Sequence, residues 1–134
     1  MQRRELFLFA KKCNSLNDVF KDHDLASLGD AYINFAYSLA LSVRKGKPSA
    51  TKVKGALLAE ALKKAGLREY APSRTSSHDL ADAAEALIVY AWLQKYVTLE
   101  DTVSTIANAE KPTDGLTLLL QKIKSKVKFP SKPS

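Results

Sequence analysis

A chain of 134 residues that is 46% hydrophobic, with only five glycines and five prolines, suits one helix-rich domain rather than a disordered chain. Its net charge of +7, from 21 Lys and Arg against 14 Asp and Glu, favours polyanionic partners such as nucleic acid or an anionic surface. The single Cys13 excludes an internal disulfide and a cysteine-pair zinc site, and no apolar run approaches a membrane span, so the expectation is a soluble, cytoplasmic protein.

In chain order, residues 3–12 read as a short amphipathic helix carrying Leu6, Phe7 and Phe9, its apolar run too short for a signal segment. Asn14 or Ser15 can cap a second short helix with Leu16, Val19 and Phe20. A long helix follows from about Leu25 to Arg44, where Leu25, Leu28, Tyr32, Phe35, Ala36, Leu39 and Val43 keep a 3.6-residue period. Gly46 and Pro48 end it. Ser49 is placed to cap a helix over 50–65, with Val53, Leu57, Leu58, Ala61 and Leu62 as its stripe and Gly66 closing it.

The polar loop "REYAPSRTSS" leads into a helix over 78–95, Thr98 or Asp101 begins a shorter one, and Pro112 opens the last. That last helix carries Leu116, Leu118, Leu119, Leu120 and Ile123. Lysines and prolines make residues 127–134 a mobile basic tail after one helical domain over 1–126. Without strand patterns or internal repeats, the fold class is all-α.

Two of these helices carry acids where burial is expected. In "SLGDAYINFAYSLAL" (27–41) Asp30 shares a face with Ile33, Asn34, Tyr37 and Leu41. In "HDLADAAEALIVYAWL" (78–93) Asp82 and Glu85, three apart, share a face with Val89 and Trp92. A buried carboxylate needs a cation, hydrogen bonds or a metal. Two arrangements meet that need. The acids can oppose helix dipoles, with Asp30 also pairing with Lys52 or Arg44. Alternatively, packing of the two helices brings all three together around Mg²⁺, which takes a few carboxylate oxygens and keeps its waters.

The same stretches resemble the ribonuclease III family. "SLGDAYINFAYSLAL" is similar to its Leu-Gly-Asp-Ala signature helix, and "LADAAEALIVYAWL" (80–93) to its second acidic motif. They stand in the family's order, separated by "AEALKKAGLREYAP", and the likeness spans about residues 20–97. The resemblance implies an all-α endonuclease domain cleaving double-stranded or structured RNA with Mg²⁺ or Mn²⁺, as a homodimer, to leave 5′-phosphate and 3′-hydroxyl ends. It implies catalytic roles for Asp30, Asp82 and Glu85, with Asp30 and Glu85 as metal ligands and Asp82 orienting water beside the ion.

Departures from the pattern favour a second expectation. Where the family has a glutamate one turn before Gly-Asp, this chain has Ala26, and Ser27 replaces the usual aromatic that anchors the dimer. Ile33, Phe35 and Tyr37 are then the candidate dimer surface. No length is left for a double-stranded-RNA-binding domain, so Lys45, Lys47, Lys52, Lys54 and Arg74 are the expected RNA contacts, through phosphates and shape. The alternative is a non-catalytic RNA- or ribonucleoprotein-binding dimer that keeps the fold. His23 and His78 are assigned no role, and Tyr90, Trp92 and Tyr96 are read as core or interface.

Overall fold

Most helices begin where the sequence supplies an acceptor for otherwise open N–H groups. Ser15 caps α1 (Leu16–Phe20) by accepting from the Asp18 N–H. Asp22 caps α2 (His23–Lys45), accepting from the N–H groups of Asp24 and Leu25. α3 (Gly55–Lys64) has no side-chain cap, whereas Ser76 caps α4 (Ser77–Leu93). Thr98 and Asp101 open α5 (Leu99–Asn108) with a reciprocal capping box, worth about 1 kcal/mol. Pro112 occupies the first turn of α6 (Pro112–Lys126). The structure, a computed structural model, describes residues 6, 7, 9, 10, 13–72 and 75–129; among them there is no strand, and the class is all-α.

α4 is the central element. Every residue from 83 to 91 is buried, as expected of a helix apolar on nearly all sides. α2, α3 and α1 pack around it, α2 most extensively, while α5 and α6 pair with each other and lie against α2 and α3. Arg44 ties the end of α2 to this second layer. Its guanidinium donates to the carbonyls of Ala107, Ala109 and Glu110 at 2.9, 2.7 and 3.1 Å, satisfying acceptors in the last turn of α5 and just past its end.

Several expectations are corrected. Residues 50–54 are not helical, and α3 starts at Gly55, because α2 side chains capture the backbone of that segment. Ile33 and Tyr37 belong to the core, at 0% and 9% exposure, leaving Phe35 alone of the three suggested interface residues exposed. Leu118 also faces outward. Val127 and Phe129 pack against the body, with the Phe129 ring stacked 6.2 Å from that of Tyr90, so the tail's first residues join the domain. Of the proposed helix over 3–12, only residues 6, 7, 9 and 10 are described, with Leu6, Phe7 and Phe9 exposed.

Candidate functional site

Gly29 sets the geometry of the two acidic helices. A Cβ at this position would collide with the backbone carbonyl oxygen of Glu85, so only glycine lets α2 cross α4 this closely. The next residue along α2 is Asp30, which is thereby carried to the Glu85 side chain. The two carboxyl groups lie close enough for each to act on the other's ionisation.

Glu85 is only 8% exposed, and its carboxyl is pushed up from 4.5 to about 8. Burial is the main cause, followed by the hydrogen bond to Asp30 and the negative charges of Asp30 and Asp82. At neutral pH Glu85 is therefore mostly protonated. Asp30 accepts from the Asn34 side-chain amide at 3.0 Å. Among the described residues it forms no ion pair, so the suggested pairing with Lys52 or Arg44 does not occur.

Asp30, Asp82 and Glu85 line one cavity of about 490 Å³. His23 and His78, the chain's two histidines, also line it; His78 stands at the start of the helix that carries Asp82 and Glu85, within reach of the site, whereas nothing in the sequence points to His23. His78 Nε2 lies 3.6 Å from Asp82 Oδ2, an ion pair when the imidazole is protonated. A second cavity of about 530 Å³ shares His23 and Asp82 as walls, so the site opens into a longer trough.

Among the described residues there is no group of three or more His, Cys, Asp or Glu side chains that could hold a metal ion. The Asp30–Glu85 pair itself fits one. Two touching carboxylates cannot both ionise cheaply unless a cation stands between them, and the cavity leaves room for the waters that Mg²⁺ keeps. Ala26, at 6% exposure, contributes a methyl to the cavity wall.

Of the expected RNA contacts, Lys52 and Lys54 are exposed on either side of Val53, which lines the cavity. Lys45 and Lys47 are exposed at and just past the far end of α2; Lys45, fifteen residues along the helix from Asp30, is about 22 Å away. Arg74 lies outside the described residues. Asn34 shares the Asp30 face in the sequence, but no role follows from that position alone. Its side-chain oxygen accepts from the Val53 N–H at 2.8 Å, joining Asp30 to the lysine-bearing segment.

No helix among the described residues is long and apolar enough to cross a membrane. No curated protein matches the chain. The family model described as Ribonuclease III matches residues 23–125, a span that contains all three acids.

Proposed function

The chain belongs to the ribonuclease III family, and from that premise we propose that it is a cytoplasmic, metal-dependent endoribonuclease. It hydrolyses phosphodiester bonds in double-stranded or structured RNA and leaves 5′-phosphate and 3′-hydroxyl ends. The observation that carries this proposal is the Asp30–Glu85 contact, where a carboxyl held near a pKa of 8 stands beside a second acid in an open cavity.

Asp30 and Glu85 would hold Mg²⁺ or Mn²⁺, Glu85 releasing its proton as the ion arrives. Such an ion supplies positive charge for the phosphate and acidifies the attacking water. Asp82, part-exposed on the cavity wall, would accept a hydrogen bond from the attacking water and orient it. His78 holds Asp82 in place. Asn34 steadies the Asp30 carboxylate at the cavity wall by donating to one of its oxygens. Lys52 and Lys54 meet the RNA backbone beside the site, with Lys45, Lys47 and Arg74 extending the basic surface; an A-form duplex read by phosphates and shape needs no more.

The proposal includes a homodimer. α2 leaves Leu28, Phe35 and Val43 exposed at 41%, 56% and 64%, an apolar line suited to a second copy. A second reading, an RNA-binding dimer without catalysis, is favoured by Ala26 in the place of the family's glutamate and by the lack of a three-ligand group among the described residues.

The test is incubation of the purified protein with an end-labelled RNA duplex in Mn²⁺, Mg²⁺ or EDTA, beside Asp30→Asn and Glu85→Gln. Metal-dependent cuts lost in both variants, with folding retained, support the nuclease. Duplex that is shifted but never cut supports the binding dimer. Cleavage preserved in both variants would overturn the site.

A further inference from the structure

Asn34, Ser38 and Ser42 stand one helical turn apart on α2, and each bonds to the main chain of the segment that precedes α3. The Asn34 side-chain oxygen accepts from Val53 N–H at 2.8 Å. Ser38 Oγ donates to the Thr51 carbonyl at 2.9 Å and accepts from Thr51 N–H at 3.0 Å. Ser42 Oγ accepts from Ser49 N–H at 2.9 Å, and its one proton is shared between the Ser38 carbonyl of its own helix at 2.8 Å and the Ser49 carbonyl at 3.0 Å.

The rungs match because the two repeats match. Four helical residues rise about 6.0 Å, close to the roughly 6.6 Å of two extended residues. Residues 49, 51 and 53 are thus pinned in antiparallel register with 42, 38 and 34, as a strand would be by a neighbouring strand. Asp30 continues the helix side of this series, one turn before Asn34, and is bonded to it at 3.0 Å. The alternate residues Lys52 and Lys54 are exposed, and Val53 between them lines the acid cavity.

We propose that this ladder is a positioning device: Asn34, Ser38 and Ser42 hold residues 49–53 as a rigid rail that sets Lys52 and Lys54 in register with Asp30, where they grip successive phosphates of the RNA strand entering the site. The inference rests on the proposed action on RNA but needs no cleavage to be tested. An unpinned segment of this kind would leave its lysines free to wander, and their contacts with phosphate would cost more ordering entropy. Asn34 differs from the other two rungs because it touches both the rail and Asp30.

The experiment measures binding of an RNA duplex in EDTA over a salt series, Mn²⁺ binding by calorimetry without RNA, and KM for duplex cleavage. It compares wild type with Ser38→Ala/Ser42→Ala, Ser38→Thr, Asn34→Ala and Lys52→Ala/Lys54→Ala. The double serine variant should weaken duplex binding and raise KM about five- to tenfold, and keep wild-type Mn²⁺ affinity. Its plot of log affinity against log salt should flatten by about one to two, as it does for the double lysine variant. Ser38→Thr, which keeps the hydroxyl, should bind as wild type, and Asn34→Ala should lose Mn²⁺ affinity as well as duplex affinity.

Unchanged duplex affinity and salt slope in the serine variant would overturn the rail, and so would a loss of Mn²⁺ affinity equal to that of Asn34→Ala. Wild type that binds duplex in EDTA but never cuts it would overturn the nuclease while leaving these binding comparisons to decide on the rail.

Discussion

Replacing Glu85 by glutamine should stabilise the metal-free protein, by an amount that grows with pH. In the folded chain this carboxyl ionises near 8, against 4.5 when free. The fold therefore favours the neutral form, and that contribution is complete below pH 4.5 and is lost as pH rises towards 8. At about 1.4 kcal/mol per pH unit the cost reaches on the order of 3 kcal/mol at pH 7 and levels off near 5 kcal/mol above pH 8. Water entering the cavity trims these figures, which are upper bounds. Glutamine cannot ionise, and its amide N–H can donate to Asp30.

A domain of this length unfolds with an entropy near 0.28 kcal/mol/K, so a 3 kcal/mol gain corresponds to about 10 °C in Tm. Thermal melts in EDTA from pH 4.5 to 8.5 should give curves for wild type and Glu85→Gln that coincide at the acid end and diverge steadily above it. A difference in Tm that is constant with pH, or a glutamine variant less stable throughout, would refute the assigned protonation. Saturating Mn²⁺ should reverse the order by raising the Tm of wild type alone, with an affinity that increases up to about pH 8 as the proton on Glu85 ceases to compete.

Gly29→Ala should cost about 3 kcal/mol, at the upper end of overpacking penalties, because the added methyl meets main chain rather than a side chain that can turn away. Thermal melts would show this as a fall of roughly 10 °C, with Mn²⁺ binding lost as Asp30 is pushed from Glu85. A variant of full stability would mean the helices can separate at no cost. On the proposed homodimer, Phe35→Glu should give a folded monomer by light scattering, with a Tm that no longer depends on protein concentration, since the ring is 56% exposed in the single chain.

The parts of the fold that were legible are those decided locally. Ser15, Thr98 and Pro112 each mark a helix start through one acceptor or one fixed φ, and each stands where it was expected. The burial of α4 follows from a segment with few polar positions to turn outward. Residues 50–54 depart from the expected helix because the competitor for their main chain is not local: Ser38 and Asn34 lie 13 and 19 residues upstream of the groups they bind. The same holds for Ile33 and Tyr37, whose direction depends on where α4 passes. A signal for the ladder was nonetheless present, since Asp30, Asn34, Ser38 and Ser42 draw a polar line at intervals of four through a helix otherwise rich in apolar residues.

On the proposed mechanism, the charge at the site bears on why this chain has Ala26 where the family's pattern has a glutamate. The cavity wall carries Asp30, Asp82 and Glu85 with two histidines and no lysine or arginine among the described residues, so neutrality must come from a proton or a bound cation. Without metal, one proton on Glu85 satisfies the touching pair. A carboxylate at position 26, at the same wall, would add a further negative charge, raise the ionisation of Glu85 again and increase the cost of folding the empty site. Ala26 removes that cost. On the proposed mechanism the remaining pair, Asp30 and Glu85, matches the charge of a single divalent ion, and a second ion would need an acid where this chain supplies a methyl.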